Sequence, residues 1–193
     1  MQALTRDDLY TLEAYAAART EFRTRVMEHK RLRAVPVGPH ATLYFEDRLT
    51  IQYQIQEMLR AERIFEPDGI AEELAAYNPL IPDGHNLKAT LMIEYPDEAE
   101  RREQLARLGG IEHRVWIEVA GQPRTFAIAD EDLERSDQDK TSAVHFLRFE
   151  FDEASRGAFK GGAAVRVGID HDAYAHAVEL AEAVRETLAR DFD

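Results

Sequence analysis

Gln52, Gln56 and Arg60 recur at four-residue spacing within Arg48–Phe65, while Ile51, Ile55, Met58 and Leu59 gather on another face of the same helical projection. Glu57 stands three residues before Arg60 and can pair with it. Two amides, a carboxylate and a guanidinium in one stripe could hold a small polar or anionic ligand. Gln52, Gln56, Glu57 and Arg60 are therefore the candidate ligand-binding set, with His40 and Glu46 as possible support. The same stripe could instead brace a sheet, or the turn-rich loop 78–82, by hydrogen bonding. Half-buried polar groups need partners whether or not they bind a ligand.

Metal chemistry has one local candidate. Asp172 and His176, four residues apart after Asp170-His171, would share a face if that segment is helical. The same residues suit a helix start, with Asp170 or His171 as N-cap and Asp172 at the positive end of the helix dipole. Two local ligands without a third do not complete a site. His113 and His145 fall on strand-like runs, where packing or a single hydrogen bond is the expected use.

Other templates fail. HExxH is missing, as is the ferritin-like pairing of carboxylates with Glu-x-x-His. The acidic run Asp130–Asp139 lacks the glycine and terminal glutamate of a calcium-binding EF-hand loop, and reads as a solvated loop. The chain has no cysteine, which excludes disulfides, thiolate metal sites and cysteine nucleophiles. No dinucleotide, P-loop or Gly-x-Ser-x-Gly signature occurs.

The elements that must position these residues alternate between helical and strand periods. Thr5 and Asp8 resemble a capping box opening an amphipathic helix over residues 6–29. Strand patterns follow at 31–37 and 41–46, the first marked as an edge by Pro36. The Arg48–Phe65 helix stops at Pro67-Asp68-Gly69, and a short helix covers 70–77. A strand over 88–95 and a charged helix over 97–108 come next. Residues 115–119 and 124–128 read as a hairpin, and 144–151 and 163–169 as further strands. Ala173–Phe192 reads as a C-terminal helix with Ala177, Leu180, Ala181, Val184 and Leu188 inward. Without regular βαβ alternation, the expected fold is a single α+β domain: a mainly antiparallel sheet of about six strands packed with N-terminal, central and C-terminal helices.

Composition agrees with a globular chain of 193 residues, 45% hydrophobic and 32% charged. No run approaches the ~18–20 apolar residues of a membrane span, and the first residues lack a leader pattern, so the expected location is cytoplasmic. The net charge is −13, and the acidic surplus lies beyond residue 64. That surplus repels phosphate backbones and argues against nucleic acid, although Arg19, Arg23, Arg25, Lys30, Arg31 and Arg33 form a local basic stretch.

Phe45–Glu62, with its "QIQEMLR" string, together with Tyr77–Pro82 and Ala89–Glu94, resembles a bacterial family catalogued as a domain of unknown function, over nearly the whole chain. The resemblance implies an association with rubrerythrin-like and iron–sulfur proteins, which neighbour such genes, and it carries no catalytic residues. The expectation is a non-catalytic accessory or binding protein of a redox or oxidative-stress system, docking its acidic surface on such a partner. The alternative is a small enzyme or ligand-binding domain using the polar face of helix 48–65, with or without the assistance of a metal.

Overall fold

The computed structural model describes residues 2–129, 131 and 141–193. The acidic run Asp130–Asp139 falls, apart from Glu131, outside the described residues.

The protein is α+β, with two antiparallel sheets whose inner faces share one hydrophobic core. The first sheet contains β1 (Ala34–Pro36), β2 (Ala41–Phe45), β3 (Asn86–Ile93), β7 (Val144–Glu150) and β6 (Ile128–Ala129), in the order β1-β2-β3-β7-β6. The second runs β5-β4-β8-β9, from β4 (Val115–Val119), β5 (Arg124–Phe126), β8 (Val165–His171) and β9 (Tyr174–Glu179). The chain passes from one sheet to the other between β5 and β6, where Ala127 N–H donates to the Val115 carbonyl at 2.8 Å. Alternation decides which side chains meet. Leu87, Ala89, Leu91 and Ile93 of β3 face the shared core with Val115, Ile117, Val165 and Val167 from the opposite sheet. The intervening Lys88, Thr90 and Met92 face the other way.

That outer face of the first sheet is where α2 (Arg48–Glu62) and α3 (Pro67–Tyr77) lie, with α1 (Leu12–Arg31) packed on α2. The helix expected over 6–29 divides in two. Thr5 and Asp8 close a single 3-10 turn, Arg6–Asp8, and Thr11 caps α1 by accepting from Ala14 N–H at 3.2 Å. Tyr15, Phe22 and Val26 form the buried stripe of α1. At the start of α2, Asp47 and Thr50 cap reciprocally, each accepting the other's N–H at 2.9 Å. Arg63, with φ of 56°, ends α2 in the left-handed region, and Pro67 opens α3 at its first turn.

Two other segments depart from the sequence expectation. Residues 153–160, assigned no element from sequence, form α5 (Glu153–Lys160) behind an Asp152 cap. The C-terminal helix expected over 173–192 is a strand followed by a shorter helix. Asp172-Ala173 is a two-residue turn, His171 pairs with Tyr174, and β9 runs antiparallel to β8 as far as Arg166↔Glu179. Alanine and glutamate favour helix locally, but pairing with β8 overrides that preference. Only α6 (Glu182–Ala189) is helical, and Leu188 is its buried residue.

A buried ionic cluster joins the two ends of this arrangement. Arg33 is 2% exposed; its Nε donates to the Phe45 carbonyl at 2.9 Å and its Nη2 to the Glu46 carbonyl at 3.0 Å. Its two terminal nitrogens form a fork onto Asp191, 158 positions away, and Nη1 lies 3.4 Å from Asp47. His29 Nε2 meets the same Asp47 carboxylate at 2.5 Å. Burial opposes ionisation of Asp47, but Arg33, the Thr50 amide and His29 outweigh it and hold its pKa below the ordinary value. At Asp191 burial prevails over Arg33 and pushes the pKa up to about 6, leaving the group ionised at neutral pH. Arg33→Met strands both carboxylates and is expected to lower the urea unfolding free energy by about 3–5 kcal/mol. Adding Asp191→Leu is expected to recover part of that loss; an equal loss in both variants would show that Arg33 acts through packing.

Candidate ligand-binding cleft

The polar stripe of α2 faces the N-terminal segment and α1. Gln52 Nε2 donates to the Asp8 carbonyl at 2.6 Å, and Gln56 Oε1 accepts from Tyr10 N–H at 2.6 Å. Gln56 is fully buried, and its Nε2 has no hydrogen-bond partner among the described residues. Glu57 reaches across to α1 and makes its hydrogen bonds there. Its Oε1 accepts from the Tyr15 hydroxyl at 2.6 Å, and Arg19 grips both its oxygens at 2.8 Å. Arg60 is exposed. Gln52, Gln56 and Glu57 thus brace the N-terminal segment and α1 against α2, and the three do not converge with Arg60 on a common hollow.

The Arg19 bond, set against burial and joined by the Tyr15 hydroxyl, holds the Glu57 pKa down to about 2. A carboxyl depressed in the folded state stabilises above its unfolded pKa, and that contribution disappears as pH falls through the folded value. Of the basic stretch, Arg19 and Arg33 are occupied internally, and Arg25 lies over the Phe22 ring at 5.0 Å. Glu46 accepts from the Thr50 hydroxyl at 2.6 Å and the Thr90 hydroxyl at 2.7 Å, tying α2 to β3.

The proposed metal pair is separated by its secondary structure. Asp172 occupies the β8–β9 turn and His176 the strand, so no helical face joins them. The His176 ring meets Tyr174 edge-on at 4.7 Å and covers Gly38, where a Cβ would stand 2.6 Å from it. His40 stacks on Tyr95 at 4.0 Å, and its backbone N–H donates to the Tyr174 hydroxyl. Asp172 borders a hollow of about 610 Å³ with His113, Arg114 and His171. Among the described residues no group of three His, Cys, Asp or Glu could hold a metal ion. His145 is fully buried, with Thr141 Oγ1 2.8 Å from its Nε2.

A larger cleft, about 710 Å³, opens between α2–α3 and the outer face of the first sheet, a volume within the range of small-molecule sites. Met58 brings α2 into it; Glu73, Ala76 and Tyr77 come from α3, and Pro79 and Leu80 from the turn that follows. The floor is Lys88 of β3 and Phe146 and Arg148 of β7. The register places Lys88 directly opposite Arg148. Like charges in that relation destabilise a sheet. Arg148 is compensated: Nε and Nη2 hold Glu131 at 2.9 and 2.8 Å, and Nη1 meets Glu150 at 2.5 Å. Lys88 makes no ion pair among the described residues, and its Nζ donates to the Pro79 carbonyl. Burial lowers the Lys88 pKa, with Asp83 opposing and Arg148 reinforcing. Across the cleft, burial raises the Glu73 pKa, aided by Glu62 and Glu72; its Oε2 is buried with no hydrogen-bond partner among the described residues.

Sequence reasoning missed Lys88, Arg148 and Glu73. The available signal was a basic residue at the outward position of each of two well-alternating strands. Wild-type stability is expected to fall between pH 4.5 and pH 2 as Glu57 takes up its proton. Glu57→Gln should flatten that part of an acid-unfolding profile followed by circular dichroism, and an unchanged slope would remove the Arg19–Glu57–Tyr15 bridge from the account.

Comparisons place this architecture among known proteins. A crystal structure described as a novel protein of unknown function, from Burkholderia pseudomallei K96243, is similar at a TM-score of 0.95 and 54% identity, covering 100% of each chain. No curated protein matches the sequence. The family model described as "Protein of unknown function (DUF3501)" matches residues 3–192. The chain belongs to that family.

Proposed function

We propose that the protein is a non-catalytic binding protein whose cleft under α2 and α3 receives a small, largely apolar molecule with one hydrogen-bond-accepting end at Lys88. The observation that carries this reading is the Lys88–Arg148 opposition on the cleft floor. A fold bears unfavourable local charge most readily where a site uses it. Lys88 can offer up to three donors and uses one on Pro79, while Met58, Tyr77 and Phe146 supply apolar wall. The reading of a small enzyme acting through the polar face of α2 has less support, because Gln52, Gln56 and Glu57 are engaged within the fold.

The proposed setting is a redox or oxidative-stress system, and the proposed partner is an iron–sulfur or rubrerythrin-like protein. Both rest on the family resemblance, with the acidic surplus as the docking charge.

Ala76 is exposed on α3, so Ala76→Trp should obstruct the cleft without disturbing the core. A panel of aromatic and aliphatic amides, ketones and carboxylates is to be screened by thermal shift. A ligand at about 100 times its Kd contributes about 2.7 kcal/mol. For a chain of this size that is roughly 5–10 °C in Tm. The wild type should respond to at least one class and Ala76→Trp to none; silence of the wild type, or an equal response from the variant, defeats the proposal. For the partner, pull-down at low salt should enrich an iron–sulfur or rubrerythrin-like protein and lose it at high salt. Absence of enrichment removes the redox setting and leaves the cleft reading in place.

A further inference from the structure

We propose that Lys88 is a carbonyl-capturing amine, and that the ligand of the cleft is a small apolar aldehyde or ketone held as a reversible imine on Nζ. This rests on the binding reading above and adds a covalent step to it.

The first argument is what holds the side chain. A lysine fixed by a carboxylate is held as an ammonium and has no lone pair to offer. Lys88 is held by a backbone carbonyl, that of Pro79. A neutral amine can make that hydrogen bond with one N–H and still direct its lone pair into the cleft. Of the nearby carboxylates, Glu131 and Glu150 are taken by the Arg148 guanidinium and Asp83 accepts from the His85 N–H at 2.9 Å; none pairs with Lys88, although all three favour its ammonium. Arg148 then faces Lys88 across the ladder and disfavours a second positive charge beside its own. Burial of Lys88 works in the same direction.

The second argument is a proton source. Glu73 lines the same cleft with its Oε2 buried and without a hydrogen-bond partner among the described residues, and burial and two neighbouring glutamates raise its pKa. Attack of the Nζ lone pair on the carbonyl carbon moves the π electrons onto oxygen, which takes the Glu73 proton and becomes the hydroxyl of a carbinolamine. Nitrogen then loses its extra proton to the Glu73 carboxylate. Reprotonation of the hydroxyl from Glu73 lets it leave as water while C=N forms. The balance is amine plus carbonyl to imine plus water. No electrons enter or leave, and Glu73 recovers its proton when the iminium nitrogen loses its last one. The apolar wall of Met58, Tyr77 and Phe146 suits an uncharged substrate body.

The chain has four lysines, Lys30, Lys88, Lys140 and Lys160, so selectivity is directly readable. The full chain is to be incubated with benzaldehyde and sodium cyanoborohydride, which reduces imines to stable secondary amines, and the modified lysines mapped by mass spectrometry. Lys88 should label faster than each other lysine by about tenfold or more, each tenfold corresponding to about 1.4 kcal/mol in barrier. Glu73→Gln should slow labelling at Lys88 alone, Ala76→Trp should suppress it, and Lys88→Arg should leave only background, because a guanidinium forms no imine here. Even labelling across the lysines, or slower labelling at Lys88, overturns the covalent step. Benzamide, which has a similar shape but forms no imine, separates the two failures in a thermal-shift assay. A benzamide shift without Lys88 labelling ends the imine proposal alone, whereas no labelling and no shift from any member of the amide, ketone and carboxylate panel ends the binding reading with it.

Discussion

A guanidinium removed from water must be met on every side, and Arg33 ties its own stretch of chain to two others. It follows α1, donates to two carbonyls at the junction of β2 and α2, and closes onto Asp191 beyond α6. Those hydrogen bonds set where α2 leaves the sheet, because the Asp47 cap that starts the helix is also a carboxylate of the cluster. The direction of α2 in turn determines whether a cleft exists between it and β3. A charge buried at 2% exposure is a poor source of net stability, but leaving it unpaired costs so much that arrangements lacking this junction are heavily penalised.

The polar groups of α2 work within this frame. Two glutamines hold the backbone at Asp8 and Tyr10, and Glu57 bridges Tyr15 and Arg19, so the face that looks most chemical in sequence is an internal seam. Residues two positions apart on the same helix do different work: Met58 belongs to the cleft, while Gln56 is wholly enclosed. Helical spacing identifies which residues share a face, but the identity of the neighbouring surface is a tertiary fact.

That distinction separates what was legible from what was not. The strands around 41–46, 88–95 and 144–151 and the start of α2 at Arg48 are local patterns, and they stand close to where alternation and helical period place them. The division into two sheets was hidden because β4, β5 and β6 form one nearly continuous run whose sheet membership changes at Ala127. The last strand was hidden because Ala175, Ala177 and Glu179 are good helix formers, and only β8 makes them extended. Lys88 and Arg148 were each visible as outward residues, but their opposition depends on a register between segments separated by the whole of α4 (Glu98–Arg107), β4, β5 and β6.

The Asp191 fork has a temporal consequence for a chain made from its N-terminus onward. Arg33, the β2–α2 junction and the strands of the first sheet are all synthesised long before residue 191 emerges, so the cluster must wait with its guanidinium incompletely neutralised. Phe192, which packs on Phe151 and Phe159 at 5.4 and 5.3 Å, arrives at the same late moment. Until then the nascent chain has every incentive to keep that corner hydrated and open. Asp191 and Phe192 close that corner together, joining the charge and the aromatic contact in one event.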